Sequence, residues 1–133
     1  MSLGLPLELD WFFDKIDDRQ SMERDIPPML SRNHLPTAIF CMEDILAIGL
    51  IRCLQSHGVR VPEDVSVISI DDILISSQTF PALTTVALDK DALGRNAVDM
   101  LMQLINGEEP ASITISSSDL IVRESVKRIE ESL

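Results

Sequence analysis

The chain has 133 residues, with 22 acidic side chains against 11 basic ones and a formal net charge of -11. That length holds one domain with its own core, and a composition of 45% apolar and 25% charged residues excludes a disordered or fibrous chain. The acidic balance argues against direct nucleic-acid contact, which needs a Lys/Arg surplus on some face, and no apolar run reaches the roughly 20 residues that span a bilayer.

Taken in order, Met1 to Leu5 has neither the positive n-region nor the long apolar h-region of a signal peptide. Leu5 to Phe13 is apolar and aromatic and reads as a weak strand. Asp17 to Arg24 reads as a turn or short helix. Asp25 is a candidate N-cap for a helix whose first turn holds Pro27 and Pro28, where a missing N–H costs little. That helix ends near Asn33, and Pro36 resets the chain. Thr37 to Cys41 is a short apolar strand, and Asp44 to His57 is a helix closed by Gly58. Val65 to Ile70 is a β-branched run suited to a central parallel strand. An irregular stretch from Asp71 to Pro81 leads into a strand over Leu83 to Ala87.

Asp89 then caps a third helix with Leu93, Ala97, Met100, Leu101, Leu104 and Ile105 along one face, and Gly107 ends it. Strands near Ile113 to Ile115 and Asp119 to Arg123 complete the count. Strands alternating with helices predict an α/β fold, an open and mostly parallel sheet with flanking helices. The helix from Asp44 is apolar nearly all round, so it needs cover on a second side; another subunit is the expected cover, although a central, wholly buried helix would show the same pattern.

Ligands of open α/β sheets gather at the carboxyl ends of strands. Glu43 and Asp44 follow one strand, and Asp71 and Asp72 follow another. If those strands are neighbours, four carboxylates meet at one rim. Three uses compete: a Mg²⁺ site for phosphoryl transfer, a site for a neutral polyol, and plain helix capping and turn formation. The phosphoryl-transfer use also needs a lysine beside the carboxylates, and the nearest in sequence is Lys90. Nucleophilic catalysis has little support. His34 and His57 sit in a loop and a helix end, and no nucleophile elbow or phosphate-cradling glycine loop exists. Cys41 and Cys53 have no metal-ligand spacing and read as small buried hydrophobes in a reducing compartment.

Four segments carry a resemblance. From Pro36, PTAIFCMEDILAIG is similar to PTAIF-x-x-ND-x-x-A-x-G of the lactose/galactose-repressor (LacI/GalR) family, and from Val61, VPEDVSVISIDD is similar to its VPEDVSVIGFDD. Pro81 to Val86 with Leu93-Gly94, then Leu120 to Ser125, repeat its closing landmarks in order. The likeness runs from Pro36 to Ser125 and is thin before it.

The resemblance implies a non-enzymatic, periplasmic-binding-protein-like effector sensor without cofactor or metal. Residues 1–133 would be the C-terminal portion of that domain, one truncated lobe of two, with the ligand in the cleft between lobes. A sugar-like small molecule would be the effector. DNA would be bound only by an N-terminal helix-turn-helix absent from this chain, in a cytoplasmic protein with no membrane partner. Asp71 matches the family aspartate that receives effector hydroxyls. The family's Asn is Glu43 here, Asp44 matches the Asp beside it, and the resemblance implies that both contact the effector together with Asp71. An ionised Glu only accepts hydrogen bonds, which favours an effector rich in hydroxyl or amine donors. Ser69 replaces a family Gly, an exchange expected to be without consequence. The family's pairing surface maps to Ile45, Ile48, Arg52, Thr79 and Phe80, implying a homodimer. The rivals are a receiver-type phosphoryl-transfer domain and a transport-type solute-binding protein.

Overall fold

The computed structural model describes residue 16 and residues 19–31, 35–115 and 118–128. The strand expected over Leu5 to Phe13 and the loop histidine His34 lie outside these. The elements in order are α1 (Arg19–Leu30), β1 (Ala38–Phe40), α2 (Asp44–Ser56), β2 (Ser66–Asp71), a 3-10 helix (Leu74–Ser77), β3 (Thr84–Leu88), α3 (Lys90–Ile105) and β4 (Ser118–Ile121). The sheet runs β1-β2-β3-β4. The first two pairings are parallel, and β3 pairs antiparallel with β4. The α/β, mostly parallel sheet is as the alternation of the sequence requires.

β2 explains the layering. Val65 and Val67 are fully buried and face α2, while Ile68 on the opposite face is only half-buried. α2 meets them with Ala47, Leu50, Ile51 and Leu54. Its outer side is covered by α1, whose Met22, Ile26 and Met29 fall at helical spacing and join the same core. The second cover of this apolar helix is thus an element of the same chain. At Gly49 the two helices come so close that a Cβ would stand 3.2 Å from Met22 Cε.

Three expectations change. α1 starts at Arg19, not near Asp25, and carries Pro27 and Pro28 inside it. The proline nitrogens donate no helical bond, a cost offset by burying the Met22–Ile26–Met29 stripe. Ile113 to Ile115 forms no strand, and Ile113 stays half-exposed beyond the sheet. α3 buries no residue, and only Ala92, Asn96 and Met100 along it are half-buried, so the face expected to pack stays largely open. Val98, Leu101 and Ile105 of α3 are all more than half exposed.

The ends of α2 and α3 are built alike. Gly58 and Gly107 sit at φ 78° and 81°, where side chains are strained, and close each helix with paired bonds. In α2 the amides of Gly58 and Val59 donate to Gln55 and Leu54, and in α3 those of Gly107 and Glu108 donate to Leu104 and Gln103.

Candidate functional site: a carboxylate rim

Because β1 and β2 are parallel neighbours, their carboxyl ends bring Glu43 and the Asp71-Asp72 pair to one rim of the sheet. The four carboxylates separate into three kinds. Glu43 is exposed at the N-cap of α2, and its side chain makes no capping bond. Among the described residues its carboxylate meets no hydrogen-bond donor.

Asp44 is fully buried and points inward. Its Oδ1 accepts from Ser69 Oγ of β2 at 2.5 Å and Thr85 Oγ1 of β3 at 2.6 Å. Its Oδ2 accepts from Ser76 Oγ at 2.5 Å and from the Ile73 amide at 2.9 Å. Burial alone would push this carboxyl up. The three hydroxyls and the amide outweigh burial and hold it below the ordinary carboxylate value. With both oxygens occupied and no accessible surface, Asp44 meets no molecule at the rim, so the expectation of direct effector contact by Asp44 is corrected. Ser69, expected to be an inconsequential exchange, supplies one of the four donors.

Asp71 and Asp72 form a turn with positive φ at both residues, 131° and 51°. Asp71 in particular occupies a region that L side chains avoid, and strain of this kind gathers at functional sites. The turn is braced from three sides. Lys90 Nζ donates to the Asp71 carbonyl, and at 3.4 Å to that of Asp72. The largely buried Arg123 donates from Nη2 to Asp72 Oδ1 at 2.6 Å and from Nη1 to the Leu83 carbonyl at 2.8 Å. The Ile73 amide is held by Asp44. What remains is the Asp71 carboxylate, half-buried and accepting no hydrogen bond among the described residues.

The rim therefore offers two free carboxylates, Glu43 and Asp71. Asp72 is committed to Arg123, Asp44 is enclosed, and Lys90 serves carbonyls rather than carboxylates. No group of three His, Cys, Asp or Glu among the described residues is arranged to hold a metal ion. This geometry does not fit the phosphoryl-transfer alternative. The cysteines are unpaired thiols, and burial pushes Cys41 up to about 12, away from thiolate chemistry. His57 donates from Nδ1 to the Cys53 carbonyl at 2.9 Å and serves the end of α2.

The loop of Thr79 and Phe80 follows the 3-10 helix and runs to the C-terminal part of α2. Thr79 Oγ1 donates to the carbonyls of Ser76 and Pro81, and Gln55 of α2 donates to the Phe80 carbonyl at 3.2 Å. The Phe80 ring is 88% exposed and Ile45 60%, whereas Ile48 is half-buried against the core. Arg52 is exposed on the same helix as Ile45. Sequence reasoning found the carboxylates and missed Ser76, Thr85 and Arg123. One signal was present: Ser69, a hydroxyl on the same strand face as the buried Val65 and Val67.

Comparisons with known proteins agree with this geometry. A family profile described as a periplasmic binding protein-like domain matches residues 7–126, reaching well upstream of Pro36. The transcriptional repressor PurR of Pasteurella multocida is 39% identical over 130 residues, 93% of this chain and 37% of the relative. The lac repressor dimer bound to operator and the anti-inducer ONPF superposes with a TM-score of 0.70 and 33% identity, covering 80% of this chain and 37% of that one. A sugar-binding LacI-family regulator from Escherichia coli complexed with phosphate gives a TM-score of 0.77 and 29% identity, covering 92% and 44%. The chain spans just over a third of the length of the curated relatives it matches.

Proposed function

The chain belongs to the periplasmic-binding-protein-like family as it occurs in LacI/GalR-type regulators, and from that premise we propose that it senses a small-molecule effector and dimerises for a transcriptional regulator. Its relatives are transcriptional repressors, not enzymes. In this reading residues 1–133 are the C-terminal portion of the effector domain. DNA is bound in the cytoplasm by a headpiece outside the chain, and effector binding shifts the balance between lobe arrangements.

One observation carries the reading: Asp71 ends a central parallel strand in a strained turn braced from three sides, and its carboxylate has no hydrogen-bond partner among the described residues. Preorganised acceptors of this kind suit hydroxyl donors, since charge-assisted hydrogen bonds are about twice as strong as neutral ones. Glu43 beside it also only accepts. The effector is a sugar or related polar metabolite rich in hydroxyl or amine groups. Asp44 supports the site from behind. Ile45, Ile48, Arg52, Thr79 and Phe80 form the dimer contact, in keeping with the dimeric lac repressor as a neighbour.

The test is a thermal-shift screen of neutral and amino sugars against the intact regulator, expected to find a stabilising compound. Asp71→Asn, which keeps a residue tolerant of positive φ, removes that shift and the change in operator affinity that accompanies it, while operator affinity without effector is unchanged. A compound that stabilises variant and wild type alike would take Asp71 out of the site. The chain by itself binds the same compound weakly, because one wall of a cleft buries only part of a ligand.

A further inference from the structure

We propose that Asp44 is a positioning residue whose buried carboxylate joins the turn carrying Asp71 to the loop carrying Thr79 and Phe80, so that neither moves without the other. The proposal rests on the effector-domain reading for its functional meaning and on geometry for its substance. Oδ1 is fastened to the sheet through Ser69 and Thr85. Oδ2 is fastened to the Ile73 amide, one residue past Asp72, and to Ser76 in the 3-10 helix. The Ser76 carbonyl in turn accepts from Thr79 Oγ1 and from the Leu83 amide at the entry to β3. The loop is pinned a second time by α2, through Gln55 to the Phe80 carbonyl. One helix thus holds rim and loop together, with Asp44 at its start and Gln55 near its end.

The coupling follows from the chemistry of a buried anion. A carboxylate without access to water depends on its donors for all its solvation, and withdrawing one leaves a charge under-solvated. The remaining donors and the rigid planar group must then shift, so a loss at Oδ1 is felt at Oδ2. Ser69 is a tie that the Gly of the resembling family motif would lack.

Amide hydrogen exchange on the 133-residue chain, followed by NMR, tests the coupling without any ligand. Thr85→Val removes one Oδ1 donor at constant volume, together with the long 3.4 Å bond that Thr85 Oγ1 accepts from the Asp72 amide, Thr85→Ser keeps both, and Ser69→Ala removes the other Oδ1 donor alone. The readout is the Ser76 and Gln78 amides, which bond the carbonyls of Ile73 and Ile75 on the far side of the carboxylate. Thr85→Val and Ser69→Ala should each raise exchange there roughly tenfold relative to the α2 core amide of Leu54, the scale of one hydrogen bond to a charged acceptor. Thr85→Ser should restore the wild-type rates. Acceleration confined to β2 and β3, or equal at Leu54 and Ser76, overturns the coupling and leaves Asp44 a simple structural anchor. Asp71→Asn touches none of the four ties and leaves these rates unchanged. If its effector response is normal while Thr85→Val still opens the loop, the effector assignment falls and the coupling stands.

Discussion

Asp71 at φ 131° stores strain of about 1 kcal/mol or more, which no contact of its own side chain relieves. Asp71→Gly removes both strain and carboxylate. In urea denaturation it should be more stable than wild type by about 1 kcal/mol and, in the intact regulator, deaf to effector. Greater stability with lost response is the mark of a residue kept for function. A variant less stable than wild type would mean that the turn is relaxed. Asp44 behaves oppositely. Asp44→Ala orphans buried donors and should cost about 3 kcal/mol or more.

The pH dependence has a definite sign. The folded carboxyl of Asp44 lies below its unfolded value, so its contribution is complete above the unfolded pKa of roughly 3.9 and is lost as pH falls through the folded one. Asp64, held at about 2 by Arg60, adds to the same acid limb. Urea midpoints should be level near neutrality and drop below about pH 4, and Asp44→Asn should flatten part of that drop. This residue also marks what a sequence conceals. The acid itself was visible, but its donors lie 25, 29, 32 and 41 positions away, joined only by the fold.

Among the elements, α2 and α3 were legible because their ends are local chemistry. Asp89 accepts from the Ala92 amide at 2.8 Å, and Gly58 and Gly107 take the positive φ that closes a helix. α1 was misread because Pro27 and Pro28 look like a helix start, while the stripe that pays for them begins upstream at Met22. The same error hid the second cover of α2, so the side of that helix away from the sheet was expected to meet another subunit. Met29 separates the two accounts. It is 2% exposed, and Met29→Ala should lower unfolding free energy by about 2–5 kcal/mol if α1 is core. A loss near zero would show α1 to be loosely docked. Gly49→Ala should be neutral or slightly stabilising, because better helix propensity, about 1 kcal/mol, offsets contact with the flexible end of Met22. Gly49→Leu should force the helices apart and cost about 1–3 kcal/mol.

For the molecule as a whole, two groups among the exposed apolar side chains of the described residues predict stepwise association. One is Ile45 with Phe80, the proposed dimer contact; the other is the α3 stripe of Val98, Leu101, Met102 and Ile105. Exposed apolar area on this scale is seldom left bare in monomers. Each buried aliphatic side chain contributes about 1.5–3 kcal/mol. The net charge of -11 opposes contact, but its repulsion is screened within roughly 8–10 Å at physiological salt. Ile48 is a poor probe, since a charge there also strikes the core it packs against. Ile45→Glu with Phe80→Glu alters only exposed positions. Sedimentation equilibrium at micromolar concentration should show the wild type larger than a dimer. Leu101→Glu with Ile105→Glu should reduce it to a dimer, and adding Phe80→Glu should give a monomer of unchanged melting temperature. If the α3 variant alone is monomeric, the Ile45–Phe80 surface does not pair, and the dimer assignment fails while the fold and the rim stand.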